Sequence, residues 1–367
     1  MRIILAAGGS GGHIFPSVAL ATELEKAGVN DVYFVSSKRR LDKNMLKDNE
    51  HKCFFLSVNP MPLKFRPLRI IGFIGKLVAD TMASMFIILK LRPSVVVGFG
   101  GYASGTIVGV AKLFGVPVLI HEQNLLPGRA NRILSRVADR IAVSFKDSVR
   151  YFPRAADKVV YSGNPLRVDI LSNDRSEASR RLGLSPEKFT VLIMGGSQGS
   201  TFLNRTASEA AQIIKNEKGD MVQFIHLTGR KDIDQVKEFY QKNGIQAKAF
   251  PFLERVDDAY AASDMAISRS GAAAVFELAF YAKPMILVPY PNPKNNQRSN
   301  AKYFSESGAA IYKEEKDLSA SGLAKEVLDV LGDSEKRESI SKAAGSLSVP
   351  EAGRKLAEEV IKLAGKR

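Results

Sequence analysis

His13 closes the run Gly8-Gly9-Ser10-Gly11-Gly12-His13, which follows the apolar stretch Ile3–Ala7. An imidazole on a glycine loop at the end of a strand is placed to move a proton near neutral pH. The alternative is a histidine that merely caps the turn. The loop is not a dinucleotide fingerprint, because Ile14 stands where the third glycine of G-x-G-x-x-G would fall. Nor is it a P-loop, because no Lys-Ser/Thr pair follows. A second run of the same form, Gly195-Gly196-Ser197-Gln198-Gly199, follows Thr190–Met194, with Gly195 in the place of Gly8. Its backbone N–H groups suit an anion at a helix start, or else form an ordinary tight turn. On this reading both loops present an anion-binding helix start.

Four further clusters hold polar groups where strands end. Gly98–Gly105 is rich in glycine. Arg269-Ser270-Gly271-Ala272 opens a helix that carries Glu277, about two turns on from Ser270 and so near the same face. There Glu277 either reaches a sugar hydroxyl or is a solvated helix acid. His121-Glu122-Gln123-Asn124 ends the apolar run Pro117–Ile120, and Asn292–Asn300, with Asn295, Asn296, Gln297 and Arg298, follows Met285–Pro289. Amide-rich loops suit sugar hydroxyls. One cysteine, Cys53, and four scattered histidines give no metal-ligand spacing. No D-x-D pair sits in a glycine-rich loop, so neither a metal nor a cofactor is expected.

These residues need elements to hold them. Thirteen short apolar runs alternate with helical stretches, seven before Ser162 and six after it. Continuous β-branched runs between helices mean strands buried on both faces, hence parallel sheets and doubly wound α/β folding. A length of 367 residues fits two domains. Ser162-Gly163-Asn164-Pro165 is a strong turn signal. It divides the chain into a first domain, 1–163, and a second, 164–349, with a terminal helix over 350–367 packing back on the first.

The charge of +15 suits phosphorylated substrates, nucleic acid or an anionic membrane. Between residues 64 and 92 the bases Lys64, Arg66, Arg69, Lys76, Lys90 and Arg92 face one acid, Asp80, in a strongly apolar stretch. Lys76 and Asp80 interrupt it near its middle. A helical hairpin or a helix dipping into an interface therefore fits better than a spanning helix, and a core helix with solvated ends is the bland alternative. A nucleic-acid platform would interleave aromatic and basic residues, whereas this cluster flanks aliphatic ones. The single cysteine leans to a reducing compartment, and the start Met1–Leu5 is too short for a signal segment.

Taken in order, GGSGGHIFP (Gly8–Pro16), GGYASG (Gly100–Gly105), HEQN (His121–Asn124), GNPLR (Gly163–Arg167), GGSQG, RSGA with Glu277, and NQRSNA (Asn296–Ala301) span nearly the whole chain. The chain thus resembles the peptidoglycan N-acetylglucosaminyltransferase family, MurG. The resemblance implies a glycosyltransferase-B fold, with two Rossmann-like parallel-sheet domains facing across a cleft. It implies inverting transfer of N-acetylglucosamine from UDP-N-acetylglucosamine to the muramoyl-pentapeptide of undecaprenyl-diphosphate-linked lipid I, giving lipid II. The second domain would hold the donor. Arg167, Ser197 and Gln198 would contact the diphosphate, and the Leu253 backbone the uracil. Glu277 would hold the ribose, Gln297 with Asn296 would hold the donor sugar, and Gly271, Ala272 and Ala273 would be further substrate-binding residues. Ser10, Gly11, Gly12, His13 and Asn124 would line the acceptor side. His13 is the first choice as base and Glu122 the second.

The resemblance also implies a peripheral enzyme on the cytoplasmic face of the membrane, bound through the 64–92 region. Cell-wall machinery proteins would be further partners, and nucleic acid would not. Ser10 stands where threonine is the family's residue, and Asn296 beside Gln297 also departs from the pattern. The nearest rival is a UDP-N-acetylglucosamine 2-epimerase on the same architecture.

Overall fold

The computed structural model describes residues 1–46, 52–57, 67–166, 174–196, 198–292 and 296–365. Two compact units divide the chain: Met1–Val168 with Val349–Arg367, and Asp169–Ser348.

The first unit runs β1 (Arg2–Ala6), α1 (Gly11–Lys26), β2 (Asp31–Ser37), α2 (Arg40–Met45), β3 (Lys52–Leu56), α3 (Pro67–Leu91), β4 (Val95–Gly98), α4 (Gly101–Leu113), β5 (Val118–Glu122), α5 (Arg129–Leu134), β6 (Arg140–Val143) and β7 (Val159–Tyr161). The strands form one sheet in the order β3-β2-β1-β4-β5-β6-β7, every pairing parallel. Alternate residues of each strand enter opposite cores. Ile3, Leu5 and Val97 pack with Leu20 of α1 and with Leu356 of the C-terminal helix. Ile4, Ala6 and Val96 pack with Ile88 of α3, Ile107 of α4 and Leu134 of α5. Covering both faces is why these strands read as unbroken apolar runs. Each such Val, Leu or Ile side chain contributes roughly 1.5–3 kcal/mol on burial.

Of the two expected forms for the 67–91 segment, a hairpin or a single helix, the structure has the second. It is one continuous 25-residue helix. Asp80 does not break it, because the carboxylate is buried and accepts the Ser57 N–H at 2.7 Å. The acid lies on the inner face and ties the helix to the end of β3. Ile87, Ile88 and Leu91 enter the core, while Ile74, Val78, Met82, Phe86 and Leu89 form an exposed apolar stripe. Lys64 and Arg66 lie outside the described residues.

The second unit runs α6 (Arg175–Leu182), β8 (Phe189–Met194), α7 (Thr201–Lys218), β9 (Val222–Leu227), α8 (Ile233–Lys242), β10 (Ala247–Phe250), α9 (Val256–Ala262), β11 (Met265–Ser268), α10 (Ala272–Phe280), β12 (Met285–Leu287), α11 (Gln297–Glu306), β13 (Ile311–Tyr312), α12 (Ala320–Gly332) and α13 (Ser334–Ser346). Its parallel sheet has the order β10-β9-β8-β11-β12-β13. The last helix, α14 (Ala352–Ala364), belongs to the first unit and packs on α1.

In each sheet the winding reverses once, between β1 and β4 and again between β8 and β11. Loops leaving the carboxyl ends of such a strand pair diverge and open a crevice for a ligand. Those loops are Gly8–Ser10 and Phe99–Gly100 in the first unit, and Gly195–Ser200 and Arg269–Gly271 in the second.

Candidate functional site

In the first unit the two loops at the reversal touch backbone to backbone. A Cβ on Gly101 would lie 2.5 Å from the Gly8 carbonyl oxygen, and one on Gly100 would lie 3.4 Å from His13 Nε2. Both glycines also have positive φ, 92° at Gly100 and 77° at Gly101. Only glycine permits this approach. The His13 Nδ1 lies 3.0 Å from the Gly8 carbonyl oxygen. A carbonyl can only accept, so Nδ1 carries a proton, and in the neutral ring Nε2 keeps the lone pair. Ser10 occupies the N-cap position of α1 without a side-chain cap bond. Its Oγ sits 3.4 Å from the same Nδ1.

A buried carboxylate braces this loop. Asp42, fully buried in α2, accepts the Gly9 N–H at 2.8 Å and the Ser37 hydroxyl. The expectation of two equivalent anion-binding loops changes here, since one amide of the first loop is already given to an acid.

The residues that end and follow β5 are mostly internal. Glu122 is buried and accepts from Asn124 N at 2.9 Å, Asn124 Nδ2 at 3.2 Å, Gly128 N at 2.9 Å and Asn131 Nδ2 at 2.9 Å. Four donors occupy its oxygens, so it shapes the loop that presents Asn124. His121 is fully buried. It accepts from Gln123 Nε2 at 3.0 Å and donates to the Gly163 carbonyl at 3.2 Å. Burial pushes its pKa down to about 4, so it is a neutral strut. Asn131, which local sequence did not single out, donates to the His121 carbonyl at 3.1 Å. Its Nδ2 would lie 3.6 Å from a Cβ on Gly100.

In the second unit Gly195, Gly196, Gln198, Gly199 and Ser200 line a cavity of about 530 Å³ with Arg269, Tyr290, Gln297 and Glu315. The volume lies in the range of small-molecule sites. A Cβ on Gly199, where φ is 74°, would lie 2.0 Å from the Thr228 carbonyl oxygen, so the loop after β9 packs directly on this one.

Arg269 is 4% exposed. Its Nη1 donates to the Val288 and Pro289 carbonyls, both at 3.1 Å, and its Nη2 to Ser200 Oγ at 2.6 Å and Glu315 Oε1 at 2.5 Å. The guanidinium therefore clips the loop after β12 to the start of α7. Gln297 begins α11, and its Oε1 accepts the Tyr290 N–H at 2.9 Å. Its carbonyl accepts the Ser270 hydroxyl at 2.8 Å.

Glu277 is not a solvated helix acid. It is buried in α10 and accepts the Tyr260 hydroxyl at 2.5 Å. Gly271 is the N-cap residue of α10, followed by Ala272 and the half-buried Ala273. Half-buried Leu253 follows β10, next to exposed Phe252. Asn296 holds the N-cap position of α11. None of Leu253, Gly271, Ala272, Ala273, Glu277 and Asn296 lines the cavity that holds Gln198 and Gln297. Arg167 and Ser197 lie outside the described residues. Among the described residues no three His, Cys, Asp or Glu side chains gather for a metal ion.

Residues 3–143 match the glycosyltransferase family 28 N-terminal domain and residues 190–358 its C-terminal domain. An enzyme of Desulfotalea psychrophila named UDP-N-acetylglucosamine--N-acetylmuramyl-(pentapeptide) pyrophosphoryl-undecaprenol N-acetylglucosamine transferase is 38% identical over 92% of this chain and 90% of its own. The chain belongs to glycosyltransferase family 28. A relative of the same name from Myxococcus xanthus is 34% identical over 99% of this chain and 93% of its own. Among solved structures, MurG of Acinetobacter baumannii has a TM-score of 0.76 at 24% identity, covering 99% of this chain and 100% of its own. MnaA of S. aureus in complex with UDP has a TM-score of 0.71 at 14% identity, covering 100% of this chain and 97% of its own. At these identities the two structures speak for the fold alone. The family resemblance read from the ordered motifs is therefore confirmed.

Proposed function

We propose that this family 28 member transfers N-acetylglucosamine from UDP-N-acetylglucosamine to the 4-hydroxyl of the muramoyl-pentapeptide of lipid I, giving lipid II. The observation that carries the donor half is the cavity in which the Gly195–Ser200 loop, the buried Arg269 and Gln297 come together. Loop amides at the start of α7 meet a diphosphate, and the departing UDP gathers negative charge against fixed dipoles rather than reorganising water. Arg167 and Ser197 join them by motif match, Glu277 serves the ribose and Leu253 the uracil.

On the acceptor side His13 takes the proton. The acceptor oxygen attacks the anomeric carbon as its bond to the diphosphate breaks. The hydroxyl proton passes to Nε2, the ring nitrogen that the Gly8 carbonyl leaves as a lone pair. Glu122 is a positioning residue, because its oxygens already hold the 122–131 loop together. Asn124, with Ser10, Gly11 and Gly12, lines the acceptor side.

The exposed stripe of α3 rests on a membrane surface. Met82 is 62% and Phe86 61% exposed, and Lys90 lies 5.6 Å from the Phe86 ring centroid. Apolar side chains with bases beside them suit an anionic bilayer interface.

Wild-type protein given UDP-N-acetylglucosamine and a short-chain lipid I is expected to release UDP and form a disaccharide, with no release when the acceptor is left out. Release without acceptor, together with a sugar changed at carbon 2, would replace the transferase by a 2-epimerase.

A further inference from the structure

Ser200 follows the glycine loop directly and caps α7, and its hydroxyl has an unusual set of partners. Oγ accepts the Leu203 N–H at 3.3 Å and an Arg269 Nη2–H at 2.6 Å. A serine hydroxyl has two lone pairs and one proton. Both lone pairs face permanent donors, so the proton must be given away, and no acceptor among the described residues takes it. Ser200 lines the cavity with Gly195, Gly196 and Gly199. Arg269 is held against it by the Glu315 carboxylate on one side and two carbonyls on the other, and its Nε is buried without a partner among the described residues.

From this we infer that Ser200 is a diphosphate-binding residue whose O–H is aimed at a phosphate oxygen by a Glu315–Arg269 brace. The inference rests on the donor reading of this cavity. Arg269 acts as the positioning residue. Four of its five N–H groups are spent on protein atoms, and its charge polarises the Ser200 hydroxyl into a stronger donor. Glu315 balances that charge while the cavity is empty, which leaves the brace in place before the anion arrives. No signal in the Gly195–Gly199 run marks Ser200, because its role depends on a guanidinium far along the chain.

The test compares UDP with uridine, which has the base and ribose but no phosphate. Dissociation constants for wild type, Ser200→Ala and Ser200→Thr are measured by calorimetry for UDP and by ligand-observed NMR for uridine. Loss of a hydrogen bond to a charged oxygen weakens binding by roughly 10–100-fold. Ser200→Ala is expected to lose that much for UDP and almost nothing for uridine, and Ser200→Thr, which keeps the hydroxyl, to recover most of the loss. A purely capping role would lower the unfolding midpoint but leave the UDP-to-uridine ratio at the wild-type value, and that result overturns the inference. An equal loss for both ligands overturns it as well. A wild-type protein that binds UDP no better than uridine would instead bring down the donor reading and this inference with it.

Discussion

The two glycine loops share one backbone plan and opposite electrostatics. Each leaves a central strand at the point where its sheet reverses, and each leads into a helix. The first is braced by the Asp42 carboxylate and ends on a histidine with a defined tautomer. The second is braced by the Arg269 guanidinium and ends on a serine that has a proton to give. An acid beside a loop spends its amides and favours positive charge, so the first loop suits proton acceptance. The guanidinium beside the second loop is paired with Glu315 and holds the Ser200 hydroxyl as a donor, so that loop suits a diphosphate. A repeated motif thus acquires two chemistries from residues outside it.

The comparison is broken most severely by removing the cationic brace. Arg269→Ala strands the nearly buried Glu315 carboxylate, and breaking a buried pair costs about 3–5 kcal/mol. Urea unfolding should show that loss, with UDP affinity falling alongside it. Wild-type stability and affinity would show that the brace is idle.

The two units also carry matched buried histidines, which sharpen the comparison through pH. Burial lowers His121 to about 4 and His226, bonded to Tyr240 and Asn204, to about 3. Because both folded values lie below the usual 6.5, the unfolded chain binds these protons first. Stability should therefore fall as pH drops below 6.5, by about 1.4 kcal/mol per pH unit for each histidine. The loss levels off near pH 4 for His121 and near pH 3 for His226. Denaturation midpoints that stay flat from pH 6.5 to pH 4 would contradict this.

What was legible in the chain follows the range of the forces involved. Strand positions such as Arg140–Val143, Val222–Leu227 and Met265–Ser268 were readable because burial on both faces writes itself into local composition. The glycine loops were readable because only glycine allows the Gly8–Gly101 approach. Sequence leaves α3 open between a hairpin and a single helix, because the partner that makes Asp80 an inner-face residue is the Ser57 N–H, 23 positions away. Asp42, Asn131 and the Ser200–Arg269–Glu315 chain have no local signature for the same reason. The helix spacing put Glu277 near the start of α10, yet could not show that Tyr260 would hold it.

Smaller effects are expected nearer the first loop and on the surface. Asp42→Asn keeps the shape but removes the charge that holds Gly9. It should cost about 1–3 kcal/mol and slow turnover while leaving UDP affinity at the wild-type level. A selective loss of UDP affinity would instead mean that the first loop also serves the donor. Met82→Gln on the exposed stripe of α3 should change stability by no more than about 0.5 kcal/mol. It should reduce cosedimentation with anionic vesicles by removing an apolar contact. Unchanged vesicle binding would remove α3 from the membrane surface.

The division of labour is tested most directly by single-turnover transfer to a short-chain lipid I in His13→Ala, with UDP affinity measured on the same protein. A positioned base contributes roughly 10²–10⁴-fold. The expected result is a chemical step slowed by that factor with UDP affinity at the wild-type level. A step at the wild-type rate, or a loss confined to UDP affinity, would contradict the assignment of proton transfer to the first loop and anion binding to the second.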